Sequence, residues 1–274
     1  MVSAPERNGP AAAGPIVVKL GGRALESPGA GAQLADDLVA LRGRALLVHG
    51  GGAELSEWCR RLGLEPRFVD GLRATDAPTL EVAAAVLAGL ANKRLVALLR
   101  AGGVDAVGLS ALDGGIAEAE PHPDSGRLGA VGCVRAVHPE LIAESLAAGR
   151  TPVLASIGAC DGALLNLNAD DLAAALAGAL RAEALVLLSD TPGLVLDRAV
   201  VPRLDPDALD AALADPQVTG GMIPKLRAAR AALDQGTGRV HIAAWQGPDT
   251  LVAVLAGTAT STTITGAPEG SLHA

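Results

Sequence analysis

The chain has 274 residues, is 50% hydrophobic and 19% charged, and carries a formal net charge of −8. That fits one large α/β domain or two small lobes and excludes a disordered chain. Aromatics make up only 1%, with no Tyr, which argues against stacking platforms for single-stranded nucleic acid and against an all-β fold. The acidic balance leaves no basic face for a duplex. Cys59, Cys133 and Cys160 are far apart and form no C-x-x-C pair, so they are expected as free thiols in a reducing cytoplasm. No segment approaches the roughly 20 uninterrupted apolar residues of a membrane span. Residues 1–15 are rich in Pro, Gly and Ala, lack the features of a signal peptide, and are expected as a loose tail.

The first apolar segment, residues 16–20, reads as a buried strand stopped by Gly21-Gly22. A helix is expected over 31–41, a second strand over 45–49, then Gly50-Gly51-Gly52 and a helix to residue 62. Strand, glycine turn and helix thus occur twice in about 50 residues, the pattern of a parallel sheet. Residues 77–101 read as one long helix, opened by Pro78 and closed by Gly102-Gly103. A strand over 105–109 follows. Residues 114–137 carry Pro and Gly among short alternating stretches and predict hairpins that project from the sheet. Next come a helix over 139–148, a strand over 152–156, and a hairpin with Asp161-Gly162 at its turn that returns as 164–167. The Ala-rich helix over 169–180 has small residues all round and should be buried. A strand over 184–188, helices over 205–215 and 223–235, a strand over 239–243 and an edge strand over 262–265 complete the series.

Glycine clusters at strand ends allow backbone N–H groups to approach an anion. The clusters here are neither a Walker A loop nor a G-x-G-x-x-G fingerprint, so a P-loop NTPase and a standard Rossmann dehydrogenase lose support. Lys19 is the only charge in its strand and precedes Gly-Gly; a lysine leaning out to solvent and a lysine aimed at an anion both fit. Lys225 opens a helix after Gly220-Gly221, where the helix dipole disfavours a cation. Exposure or a bound phosphate would account for it. Asn168 is a good N-cap, whereas Asn166 and Asp170 are not both needed for capping. A buried Asp between two lysines would orient them. Arg73 offers a guanidinium fork that suits a carboxylate. The five histidines show no metal-ligand spacing, and His49 reads as a hydrogen-bonded turn residue.

The ordered series VVKLGG (17–22), LVHGGG (47–52), GLRATD (71–76), LAGLANKRLV (87–96), LNLNADD (165–171), LLSDTPGL (187–194) and TGGMIPK (219–225) resembles the acetylglutamate kinases of the amino-acid kinase family. The resemblance spans about residues 16–265. It implies a three-layer αβα sandwich with a mainly parallel open central sheet, the amino-acid kinase or carbamate kinase-like fold. It implies an N-terminal lobe, 16–180, that binds the acyl-amino acid and forms a homodimer face, and a C-terminal ATP lobe, 181–274, sharing the same sheet. The implied reaction is transfer of the γ-phosphoryl group of ATP to the side-chain carboxylate of N-acetyl-L-glutamate, in arginine biosynthesis. By resemblance, Lys19 and Lys225 stabilise the transferring group and Asp170 organises them. Gly51, Gly52, Arg73 and Asn166 are implied substrate contacts. Gly21, Gly22, Asp190, Thr191, Pro192, Gly193, Leu194, Val195, Gln217, Val218 and Thr219 are implied on the nucleotide side. Mg²⁺ is expected on ATP oxygens and water, with no protein metal ligand. Neither nucleic acid nor membrane is an expected partner.

Two departures stand out: Leu112 replaces a lysine common in the family's GLSGKDG, and Ser261-Thr262 replaces Gly-Thr. The N-terminal stretch lacks the amphipathic helix of arginine-inhibited members, so a homodimer without strong arginine feedback is expected. Three other readings remain open: an N-succinylglutamate kinase, a kinase for aminoadipate borne on a small acidic carrier, and a catalytically silent amino-acid or nucleotide sensor on the same fold.

Overall fold

The computed structural model describes residues 14–21 and 29–266. The expected tail is therefore largely outside the described residues, and Gly22 is outside them too. The core is an eight-stranded sheet. Its first two strands are β1 (Ile16–Leu20) and β2 (Ala45–His49), with α1 (Ala30–Ala40) between them and α2 (Gly52–Arg61) after them. A small hairpin follows, β3 (Arg67–Val69) and β4 (Leu72–Ala74), which the sequence reading missed because each strand has only three residues.

The long helix α3 (Ala77–Ala101) forms as expected, with Asp76 as its N-cap accepting from the Thr79 N–H at 3.0 Å. Its middle, Ala84–Ala91, is π-helical. By length and composition alone α3 could cross a membrane, and one third of its apolar window is buried against the rest of the chain. Residues Thr79, Ala83, Val86, Leu87, Asn92, Leu95 and Leu99 form its buried face.

Strand β5 (Ala106–Ser110) precedes β6 (Ala117–Pro121) and β7 (Val131–Val137). Helix α4 (Glu140–Ala147) leads to β8 (Thr151–Ala155), β9 (Ile157–Cys160) and β10 (Ala163–Leu167). The expected hairpins make a separate four-stranded sheet in the order β6-β7-β10-β9. Helix α5 (Ala169–Ala179) is followed by β11 (Ala184–Ser189), the two-residue strands β12 (Val195–Leu196), β13 (Ala199–Val200) and β14 (Arg203–Leu204), and α6 (Pro206–Ala214). Helix α7 (Met222–Asp234), β15 (Arg239–Ala244), α8 (Thr250–Ala256) and β16 (Ser261–Thr265) end the described chain.

The main sheet runs β14-β16-β15-β11-β1-β2-β8-β5. Only the β15–β16 pair is antiparallel. Strand alternation distributes the apolar side chains to two helical layers. Ile16, Val18, Leu47, Val186 and Leu188 meet α1, the end of α3, and α8. Val17, Leu46, Val48, Leu185 and Leu187 meet α4, α5, α6 and α7. This is the three-layer αβα sandwich expected from the sequence. The small residues of α5 let it lie deep: Ala173, Ala174, Ala177 and Gly178 are all buried.

Candidate active site

Strands β1, β2, β8 and β11 run parallel, so their carboxyl ends share one edge of the sheet. Strand β1 is also where the order divides. The chain fills β2, β8 and β5 on one side, then β11 and β15 on the other. In open α/β sheets ligands bind at such a switch point.

Lys19 lies one residue from the end of β1. By alternation it shares the face of Val17, toward α5 and α7, rather than leaning into solvent; only 8% of it is exposed. There it meets Asp170 in the first turn of α5. The carboxylate oxygen Oδ1 stands 2.9 Å from Lys19 Nζ as an ion pair, and Lys225 Nζ donates to Oδ2 at 3.2 Å. Asn168 caps α5, accepting from the N–H groups of Asp170 and Asp171 at 2.8 and 3.2 Å. The cap fixes the turn that aims Asp170, and a carboxylate at this position also suits the helix dipole. Lys225 sits near the start of α7, where the dipole opposes it, and Asp170 supplies the compensating charge.

The lysines and burial set the ionisation of Asp170 and Lys19. Burial pushes Asp170 upward, but the ammonium groups of Lys19 and Lys225 outweigh it and hold the carboxyl below its ordinary range. Burial also lowers Lys19, against the pull of Asp170 and with a push from Lys225. The result is a nearly dry cluster of two lysines on one carboxylate.

Across a cavity of about 260 Å³ from this cluster stands Arg73, on β4. Its Nη2 donates to the Gly52 carbonyl and to Ser56 Oγ, each at 2.7 Å. Its guanidinium stacks 4.7 Å from the centre of the Phe68 ring. Its Nη1 is buried and has no hydrogen-bond partner among the described residues. An unpaired buried donor costs on the order of 1–3 kcal/mol, which an incoming anion would recover. Asn166, on β10, donates to Thr75 Oγ1 at 3.1 Å, and that hydroxyl donates to the Arg73 carbonyl at 2.8 Å. Gly51 and Gly52 line the same cavity at the start of α2. Lys19, Asp170, Gly51, Gly52, Arg73 and Asn166 are thus brought together, with Lys225 joined to them through Asp170.

Gly21 lies at the exit of β1. A Cβ there would stand 2.7 Å from the Leu188 carbonyl oxygen, a backbone atom that cannot yield, so the strand can cross β11 only as glycine. The residues expected on the nucleotide side occupy the loop after β11 and the turn before α7. Gly193 packs on β16, where a Cβ would meet Thr262 Oγ1 at 2.5 Å. Leu194 and Val218 are buried in the core, so only their backbone could face a ligand. Thr191 and Ser189 have their hydroxyls 3.4 Å apart, Asp190 and Pro192 complete that loop, and Val195 begins β12. Gln217 bonds to Asp197 at the turn of the β12–β13 hairpin, and the Thr219 carbonyl accepts from Met222 N–H at the head of α7. None of these residues lines the cavity.

Sequence reasoning missed Ser56, Phe68 and Thr75, which hold Arg73, and Thr262, whose Oγ1 accepts from Leu194 N–H at 2.8 Å and donates to the Val201 carbonyl at 2.6 Å. A serine four residues after a glycine turn and the single Phe were the only available signals. Among the described residues no group of three His, Cys, Asp or Glu side chains is gathered for a metal.

This fold and this anion-directed cluster define an α/β phosphotransferase. The sequence pattern of the amino acid kinase family matches residues 14–244, and the chain belongs to that family. Acetylglutamate kinase of Methanopyrus kandleri is 45% identical over 230 residues, covering 80% of this chain and 91% of its own. Acetylglutamate kinase of Chloroflexus aurantiacus is 43% identical over 229 residues, covering 82% and 90%. A Streptococcus mutans crystal structure superposes with a TM-score of 0.77 at 28% identity, covering 91% of this chain and 98% of that one. The chain is therefore a kinase whose relatives of this identity are acetylglutamate kinases.

Proposed function

We propose that this chain transfers the γ-phosphoryl group of ATP to the side-chain carboxylate of N-acetyl-L-glutamate, the step of arginine biosynthesis that gives an acyl phosphate. The observation that carries the reading is the placement of two kinds of cation across one cavity. The buried Lys19–Asp170–Lys225 cluster is on one side, and the unpaired Nη1 of Arg73 is on the other. A dicarboxylate, with a negative charge at each end, suits a cavity lined by both kinds of cation. Arg73 and Asn166 take the α-carboxylate end. The other carboxylate then faces the glycine turn and the lysines.

The acceptor is already ionised at neutral pH, so no general base is required. The protein must align anion against anion and neutralise charge spread over the transferring group. Lys19 and Lys225 do this, with backbone N–H groups of the Gly51–Gly52 turn. Asp170 keeps both ammonium groups in place and touches neither substrate. Gly21, Gly22, the 190–195 loop and residues 217–219 form the ATP side.

Among the described residues Asp170 is the only carboxylate lining the cavity, and both its oxygens are engaged by lysines. The cavity residues therefore do not fit a protein-held metal. Magnesium, which supplies charge neutralisation of the phosphates, arrives on the ATP.

The exposed apolar residues Leu90 and Leu98 on α3 support a homodimer through that helix. Three free cysteines support a cytoplasmic location.

Trapping of the acyl phosphate with hydroxylamine tests the reading. Purified protein receives MgATP and, separately, N-acetylglutamate, N-succinylglutamate, N-acetylaminoadipate, glutamate and aspartate. Hydroxamate with N-acetylglutamate alone is expected. Signal only with another acid replaces the substrate. Silence with all five, from protein that binds ATP, favours a carrier-dependent kinase or a sensor.

A further inference from the structure

Asn92 has no exposed surface although it is an amide in the middle of an apolar helix. Its Nδ2 lies 2.9 Å from the Val153 carbonyl on β8, 3.2 Å from the Leu109 carbonyl on β5 and 3.1 Å from His49 Nε2 at the end of β2. One side chain on α3 thus ties three strands together. Its position follows directly after the π-helical turns, which rotate the residues beyond them relative to a regular α-helix. The opposite strand leaves room for it: a Cβ on Gly108 would collide with Asn92 Oδ1. Lys93 Nζ closes the set, donating to Asn92 Oδ1 at 3.1 Å and to the Gly108 carbonyl at 3.2 Å.

These partners determine protons as well as positions. The Val153 and Leu109 carbonyls can only accept, so the amide must turn its amino group toward them. That same amino group faces His49 Nε2; its two hydrogens are shared over the three contacts, and an N–H on Nε2 would find no acceptor there, so the ring nitrogen presents its lone pair. A neutral imidazole with a bare Nε2 carries its hydrogen on Nδ1. His49 Nδ1 lies 2.9 Å from the Gly50 carbonyl and donates to it. Burial lowers the pKa of His49; Lys93 pushes the same way, while the Gly50 carbonyl and Glu54 oppose. Protonating Nε2 would also set its N–H against the Asn92 amino group.

We propose that Asn92 and His49 are a positioning pair: Asn92 locks the ring in its Nδ1–H form, and that N–H holds the Gly50 carbonyl, so that Gly51 and Gly52 keep their place in the substrate cavity. This rests on the function proposed above for that cavity. Neither residue touches substrate. Their effect passes through the backbone of residues 50–52, and so falls on the carboxylate substrate rather than on ATP.

Two measurements on the full chain decide it. With ¹⁵N-labelled histidine, the His49 ring is expected as the neutral Nδ1–H tautomer at pH 7, titrating below the ordinary 6.5. Substituting Asn92→Ala is expected to release it to a mixed tautomer. A ring carrying its proton on Nε2, or one unchanged by Asn92→Ala, overturns the pair.

The second measurement compares His49→Gln, which keeps an acceptor toward Asn92 but loses the donor to Gly50, with His49→Asn, which keeps a short donor near Gly50. His49→Gln should raise the KM for the carboxylate substrate roughly tenfold, the worth of about one hydrogen bond, with the ATP KM within about twofold. The rise in His49→Asn should be smaller. Equal rises for both substrates, or the reverse order of the two variants, overturn the proposal. Should the wild type turn over no acid, the functional reading falls and the ring spectrum alone decides the pair.

Discussion

Lys19 and Lys225 come from distant parts of the chain and meet on the two oxygens of one carboxylate, Asp170, at 2.9 and 3.2 Å. All three are nearly excluded from water, with side chains 9–12% exposed. Breaking a buried pair by removing one partner leaves uncompensated charge and costs on the order of 3–5 kcal/mol. Asp170→Asn is therefore expected to abolish measurable turnover and also to lower Tm by roughly 10 °C, since each kcal/mol shifts a chain of this size by about 2–4 °C. Adding Lys19→Met to Asp170→Asn should recover part of the Tm and none of the activity. A double variant that melts below Asp170→Asn would contradict the coupling.

Lys225 differs from Lys19 in where it sits. Its cation opposes the helix dipole and is held by Asp170; in the proposed mechanism it serves the transferring group. Lys225→Ala should lower kcat by about 100-fold or more, in line with removing one preorganised donor, while both KM values move little. Initial rates over a matrix of ATP and acid concentrations separate the two. An unchanged kcat would remove Lys225 from the transfer step.

Much of this arrangement was legible in the sequence, because lone charges among apolar or glycine-rich residues are conspicuous. Lys19 within IVVKL and Lys225 within GGMIPK stood out on that ground, and Asn168 stood out as a cap. Strand parity settled what the sequence left open for Lys19: its side chain shares the face of Val17, and that face is covered by α5 and α7. The small hairpin β3–β4 was not legible, since two strands of three residues have no detectable alternation. Nor was the second sheet. Residues 114–137 read as hairpins, but the pairing of 131–137 with 163–167 is nonlocal and parallel, as in Asn166 opposite Val131. No local pattern encodes that. Asn92 escaped notice for a similar reason. Its partners lie on three different strands, and the π-helical turns before it disrupt the 3.6-residue period by which its face would have been assigned.

Arg73 uses one terminal nitrogen on the protein and leaves the other unpaired. A lysine has a single ammonium and cannot brace Gly52 and Ser56 while also reaching a carboxylate. Arg73→Lys should raise the KM for N-acetylglutamate by roughly 10- to 100-fold, the worth of about one to two charge-assisted hydrogen bonds, and leave the ATP KM unchanged. Stacking on Phe68 would be weakened as well. A selective rise in the ATP KM would place Arg73 on the wrong side of the reaction.

His241 tests the physics of the sheet away from the site. It lies on β15 opposite Thr263, only 2% exposed, with Nδ1 3.1 Å from Thr263 Oγ1 and Nε2 without a hydrogen-bond partner among the described residues. Burial first, and Arg239 second, lower its pKa to about 4. Between about pH 6.5 and 4 the unfolded chain binds a proton here that the folded chain does not, so stability falls as the pH falls through that window. For this one group the loss between pH 7.5 and 5 is about 2 kcal/mol. His49, also lowered by burial, adds a loss of the same sign. Urea unfolding at the two pH values, for wild type and for His241→Leu, isolates the His241 share. The variant should lose about 2 kcal/mol less than wild type on acidification. An equal loss would mean that His241 titrates alike in the folded and unfolded chain, and that the buried ring is reached by water or takes up its proton without cost.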